Sequence, residues 1–165
     1  QVNMVSYLEV GSAYGVAEGN PKDFTPEDPC GFTIGVQNGT FQQEYAEELS
    51  AACEADGKDA IDIKPHALQT DITTKVIGGQ YDATFADAPV IGFASVQSDG
   101  KIEQIGETIE SSPQGIAIAK DDDALAAAVQ AAMQHLMDEG ILNQILSLYG
   151  AQGSALTQAQ LNPTF

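Results

Sequence analysis

The stretch 33–49, TIGVQNGTFQQEYAEEL, forces a change of backbone within a few residues. Thr33 to Val36 is a short apolar run of the kind a buried strand makes, and it stops at Asn38-Gly39. Helical spacing begins at once, with Phe41, Tyr45 and Leu49 four apart. Thr40 stands at the junction with Gln43 three places on, the spacing of a capping box. A strand that runs through a tight Gly-Thr turn into a helix restricts the chain to folds in which helices cover a sheet. The junction also has a chemical property. The first helical N–H groups lack partners inside the helix and lie at the positive end of its dipole. The turn is therefore either a plain capped helix or an anion site.

The alternation continues along the chain. SAYGV at 12–16 reads as extended, and 17–32 as a Pro/Gly/Asp-rich connection. AIDIKP at 60–65 alternates like a half-buried strand, and a short helix is expected over about 68–77, closed by Gly78-Gly79. YDATFAD at 81–87 reads as another strand, and Pro89 is placed to open a helix running to about 97. IEQIGETIE (102–110) and GIAIAK (115–120) read as two further strands. A long amphipathic helix is expected next, with Leu125, Val129, Met133, Leu136 and Met137 on one stripe and Asp121, Asp122 and Asp123 at its positive end. Gly140 ends it, ILNQILSLYG gives a shorter second helix, and the polar tail from 151 is expected to be loosely ordered.

The fold class that follows is α/β with a parallel-rich sheet. Ligands of such sheets bind beyond the carboxyl ends of the strands. Two turns lie at such ends. Asn38-Gly39-Thr40 offers N–H donors and a hydroxyl, and Ala86-Asp87-Ala88 offers a carboxylate. A donor cradle opposite a carboxylate suits a zwitterion. The bland readings are that Thr40 only caps its helix and that Asp87 only starts the helix after its strand. Asp82 reads as a structural strand-entry residue.

Charge narrows the partners. There are 24 acidic residues against 6 basic ones, all lysine, for a formal charge of −18. That balance argues against nucleic acid, whose phosphates need a basic footprint, and against anionic membrane surfaces. No apolar run is long enough to span a bilayer, and the chain opens without a recognisable leader. His66 and His135 have no ligand-spaced partners, so no metal site and no cofactor are expected, and no nucleophile stands beside either for catalysis. Cys30 lies before the strand at 33–36 and Cys53 at the far end of the following helix, so the chain returns both sulfurs to the same end of the unit. They read either as a disulfide in an oxidising compartment or as two free thiols in a cytoplasmic core.

Three stretches in this order, VNMVSYLEVGSAYGV, FTIGVQNGTFQQEY and LQTDITTKVIGGQYDATFADAPV, followed by the helices of 121–149, resemble the extracellular solute-binding proteins of polar amino-acid ABC transporters. The resemblance covers essentially the whole chain. It implies the type II periplasmic-binding-protein fold: a three-layer α/β lobe two, followed by C-terminal helices of lobe one. It sets the end of lobe one and a first hinge crossing at 1–13, lobe two at 14–116, and the return with lobe-one helices at 117–165. Most of lobe one, with the family's carboxylate-clamping arginine, is then missing, and the chain reads as a partial clamshell or a fragment of a longer protein.

The resemblance further implies an amino-acid ligand held between lobes and delivered to an ABC permease, an extracytoplasmic location with or without a lipid anchor, and no enzymatic activity. By position, Asp87 faces the ligand ammonium. The Thr40 hydroxyl and the N–H groups of Thr40 and Phe41 face its carboxylate, after the Gly39 turn, and Gln37 faces its side chain. Phe41 departs from the small or hydroxylic residue of many relatives and is expected to narrow the pocket. The C-terminal helices, with Leu125, Val129, Leu136, Ile145 and Leu148, are expected to expose an apolar face open to homodimerisation or to folding back on the sheet. A sensor module and a dehydratase-like enzyme on the same fold are the alternatives.

Overall fold

The computed structural model describes residues 2–164. Strand β1 (Val2–Ala17) is followed by β2 (Thr33–Gln37), α1 (Phe41–Ala55), β3 (Asp62–His66), α2 (Gln69–Ile77), β4 (Ala83–Asp87), α3 (Ala88–Gln97), β5 (Ile102–Ala119), α4 (Asp123–Asp138) and α5 (Ile141–Ser147). A single 3-10 turn, Gln152–Ser154, lies in the tail. The sheet order is β3-β2-β4-β1-β5. β2 runs parallel to both β3 and β4, and β1 runs antiparallel to β4 with Ser12 opposite Asp87 and Tyr14 opposite Phe85. The expected α/β class with a mostly parallel sheet is what the chain forms.

Two compact units divide the chain: residues 12–109, and residues up to 11 together with 110 onward. The chain passes between them inside β1, at Gly11-Ser12, and inside β5, at Ile109-Glu110.

The unit of residues 12–109 has helices on a sheet because each strand is apolar on the faces the helices cover. Tyr14, Phe24, Ile34, Val36, Ala46, Cys53, Ile61 and Phe85 form one core. Tyr14 stacks on Phe85 at 4.5 Å between ring centroids and meets Phe24 at 5.0 Å. Burial, and next the neighbouring Tyr45, push the Tyr14 phenol up to about 12, so it remains a neutral packing group at physiological pH. A second cluster sets Ile72 and Val76 of α2 with Ile102 of β5.

Gly35 of β2 admits α2 this close. A Cβ there would lie 2.3 Å from Ile72 Cγ2 and 3.0 Å from Tyr81 Cδ2. Gly35→Ala is expected to destabilise the fold by about 2 kcal/mol, in the range of an overpacked core. Urea unfolding checks this, and a loss under about 0.5 kcal/mol would show that α2 simply moves aside.

Cys30 and Cys53 form a disulfide with a Cα–Cα distance of 5.7 Å. Asp82 has a structural role: one carboxylate oxygen accepts the Thr33 N–H at 2.8 Å and the other faces Lys22 Nζ at 3.6 Å.

In the other unit, α4 and α5 rest on the ends of the long strands. Ala126 packs with Val5, Ile118 and Ala159, and Leu142 and Leu146 pack with Leu8 and Ala151. Asp122 caps α4, its carboxylate accepting the Leu125 N–H at 2.9 Å. Val129, Leu136 and the two helix methionines are half-buried, whereas Leu125, Ile145 and Leu148 are exposed.

Two sequence expectations are corrected. The segments 102–110 and 115–120 are one strand, which continues through Pro113 on β5 at the sheet edge, where proline is tolerated. The tail is not loose. It bridges β1 at Val5–Leu161 and Leu8–Ala155, and the Asn162 N–H donates to the Met4 carbonyl at 2.7 Å.

Candidate functional site

The turn after β2 folds as its sequence dictates. Gly39 takes φ +70°, a backbone that a side chain would strain. Thr40 is the N-cap of α1, its Oγ1 accepting the Gln43 N–H at 3.3 Å. The Gln43 side chain returns one residue earlier than in a standard capping box, accepting the Gly39 N–H at 2.9 Å. The Thr40 hydroxyl proton goes to the Gln37 carbonyl at 2.8 Å. What the turn leaves open is backbone: among the described residues, no acceptor meets the N–H of Thr40 or of Phe41. These donors sit at the positive end of a fifteen-residue helix.

At the end of β4, Asp87 is the N-cap residue of α3 yet makes no side-chain cap bond. Its Oδ1 accepts from Gln42 Nε2 at 2.6 Å. The same Nε2 donates to Ser12 Oγ at 2.8 Å. Gln42 is 8% exposed, so a buried amide holds this carboxylate out of the capping geometry. Asp87 thus stands at the start of α3, as the bland reading has it, but its side chain makes no cap bond there.

The two turns meet in one cleft of about 310 Å³, counted to its open mouth. Gln37, Thr40, Gln42, Gln69, Ala86 and Asp87 line it, over Phe85 and Val90. Asp87 is the one ionisable group among these. Gln37 donates from Nε2 to the Ala67 carbonyl at 3.2 Å, and Gln69 donates from Nε2 to Thr84 Oγ1 at 2.8 Å. A larger, shallower groove between α2 and α3 shares Gln69 and Val90 with the cleft, and no charged residue lines it.

Of the residues singled out from sequence, Gln37, Thr40 and Asp87 line the cleft, whereas Gly39 and Phe41 do not. The Phe41 ring is 47% exposed and lies 5.6 Å from Tyr45, so it does not narrow this cleft. Sequence reasoning missed Gln42, Gln69 and Ser12. Gln42 carried a signal: a glutamine in register with Ala46 and Cys53 lies on the buried face of α1 and needs a polar partner there. His66 Nε2 pairs with the Tyr81 hydroxyl at 2.7 Å, and among the described residues no cluster suits a metal ion. Among the described residues no helix is long and apolar enough to cross a membrane.

No protein-family model matches the chain. It is 33% identical over 161 residues to the arginine-binding protein ArgT of Corynebacterium glutamicum, a match that covers 97% of this chain and 53% of that protein. The chain thus spans about half the length of this curated relative. It superposes on an ancestral cationic amino acid solute-binding protein, AncCDT-1, with a TM-score of 0.72 at 20% identity, covering 89% of this chain and 62% of that one. On an ancestral arginine-binding protein bound to arginine the TM-score is 0.61 at 24% identity, covering 90% and 64%. These structures share the fold.

Proposed function

We propose that the chain is part of an amino-acid solute-binding protein of the type II periplasmic-binding fold, and that it supplies a ligand cleft of the substrate-binding component of an ABC transporter for polar amino acids. One observation carries the reading. A carboxylate withheld from its own helix faces the same cleft as a helix N-terminus whose first N–H groups are unmet. Asp87 takes the ligand ammonium, and the N–H of Thr40, which lines the cleft at the N-terminus of α1, takes its carboxylate. The Thr40 hydroxyl orders the turn rather than meeting the ligand, since its proton is engaged by Gln37. The role is binding, not catalysis, because a cleft with one carboxylate offers no second acid or base to move a proton. The disulfide supports an extracytoplasmic location, where such bonds persist. Delivery to a membrane permease follows from the family.

No lysine or arginine lines the cleft, so the ligand carboxylate meets N–H dipoles and no cation. This chain alone is therefore expected to bind weakly, with a Kd above about 1 mM, or −4 kcal/mol. Titrating the 15N-labelled chain with millimolar L-arginine is expected to shift the backbone amides of Thr40 and Phe41 and the side-chain amide of Gln42. Unmoved signals at these positions would overturn the assignment. A submillimolar Kd would mean that a contact set other than this one binds the ligand.

A further inference from the structure

Of the asparagines at 3, 20, 38, 143 and 162, only Asn38 is followed by glycine. Asn20 and Asn162 precede proline, whose nitrogen carries no hydrogen. After Asn143, the Gln144 N–H is bonded to the Gly140 carbonyl at 3.1 Å. The Asn3 side chain is held by the Lys120 carbonyl at 3.2 Å and by Lys120 Nζ at 2.9 Å. Asn38 differs on every count. It is exposed, and among the described residues no hydrogen bond ties its side-chain amide. Gly39 is exposed too, and nothing lies within 4 Å of the place where a Cβ would shield its nitrogen.

An asparagine amide next to such a nitrogen is an electrophile beside a nucleophile. Once base removes the Gly39 N–H proton, the nitrogen can close on Asn38 Cγ. The new C–N bond forms, the bond to the amide NH2 breaks, and ammonia leaves after taking a proton from water. The product is a five-membered imide. Solvent water then opens it, at Cγ to give an aspartyl link or at the Asn38 backbone carbonyl carbon to give an isoaspartyl one. No oxidant or reductant takes part. The turn carries one obstacle to closure. The Gly39 N–H donates to Gln43 Oε1 at 2.9 Å, so its proton is held and its nitrogen is turned away. The other end of that amide donates from Nε2 to Glu47 Oε1 at 2.8 Å. A carboxylate only accepts, so the Gln43 amide cannot flip and its oxygen stays on the Gly39 hydrogen.

We propose that Asn38 is a site of spontaneous deamidation, that the Gln43 amide guards it, and that the modified turn blocks the donor side of the cleft. The third clause rests on the amino-acid-binding role proposed above, and the first two do not. The new carboxylate stands two residues before the N-cap of α1, where the helix dipole favours negative charge. It therefore competes with a ligand carboxylate for the N–H of Thr40. The isoaspartyl form also adds an atom to the main chain inside the turn. Gly39 at φ +70° and the Thr40 cap would then no longer meet α1 in the same register.

The test incubates the intact, 15N-labelled chain at neutral and at mildly alkaline pH. Peptide mass mapping that separates aspartyl from isoaspartyl products follows each asparagine. Asn38 is expected to be modified before any other, at a rate that rises with pH. In Gln43→Ala the rate is expected to rise about fivefold, the factor that one lost hydrogen bond takes off a barrier. Glu47→Ala, which only frees the far end of the Gln43 amide, is expected to give a smaller rise. An intact Asn38 while another asparagine is modified overturns the proposal. So does an unchanged rate in both variants, with amide spectra showing both folded. For the cleft, millimolar L-arginine is expected to shift the Thr40 amide in the fresh chain and not in the fully modified one. An equal shift in both overturns the block on the cleft. No shift in either overturns the amino-acid role and leaves the deamidation site and its guard standing.

Discussion

Replacing both cysteines, as Cys30→Ala with Cys53→Ala, is expected to lower the free energy of unfolding by about 3 kcal/mol, and reduction of the native chain should give a similar loss. The bond joins residues 23 apart and closes a loop made of β2, the Gly39-Thr40 turn and α1. On the chain-entropy estimate a loop of that length contributes about 3 kcal/mol by restricting the unfolded chain. Alanine is the cleaner substitution, because Cys53 is buried among Ile34, Ala46 and Ile61 and a serine hydroxyl there would add its own desolvation cost. The loop also carries Gln37, Thr40 and Gln42, so the bond braces the donor side of the cleft. Urea denaturation with and without reductant measures the effect. A difference under about 1 kcal/mol would show that the unfolded chain is already compact around these residues.

How much of this was legible in the sequence depends on how local each signal is. The strand, turn and helix of 33–55 were readable because the apolar run, the glycine that takes φ +70° and the Thr40 cap all act within a few residues. Pro89 and the three aspartates at the start of α4 were readable for the same reason, and Asp122 does cap that helix. Phe41, Tyr45 and Leu49 have the spacing of a core stripe, but the buried side chains are Gln42, Ala46 and Cys53, with Tyr45 and Leu49 half-buried beside them. A glutamine can occupy that stripe only because Ser12 and Asp87, 30 and 45 residues away, satisfy its amide. Nothing within α1 announces those partners.

The same reason hid the single strand β5 and the ordered tail. Pro113 reads as a breaker until β5 is known to lie at the sheet edge. The tail is polar and looks loose until its backbone is seen to pair with Met4, Ser6 and Tyr7 of β1. Local chemistry writes elements and caps into a sequence; the partners that satisfy a buried amide or an unpaired strand edge are set by the fold.

Asp87 and Gln42 give the largest expected effect on binding. Asp87→Ala is expected to weaken amino-acid binding by at least about 30-fold, since removing one partner of a hydrogen-bonded charge pair costs about 2–5 kcal/mol. From a Kd above about 1 mM, this leaves no saturable shift in a titration. Stability is expected to fall by about 1 kcal/mol, because the buried Gln42 amide loses one of its two acceptors while Ser12 remains.

Gln42→Met separates presence of the carboxylate from its placement. Methionine matches the shape of glutamine but donates nothing, so the charge remains while the clamp is gone. Freed from the 2.6 Å bond, Asp87 can do what an aspartate at that position ordinarily does and cap α3 through the N–H of Val90. Binding is then expected to weaken about tenfold, and the Val90 amide to exchange more slowly with solvent in the free protein. The exchange signature needs no ligand. Slower exchange with unchanged binding would show that the ammonium does not depend on where Asp87 sits. Unchanged exchange with unchanged binding would reduce Gln42 to a core residue that happens to touch a carboxylate.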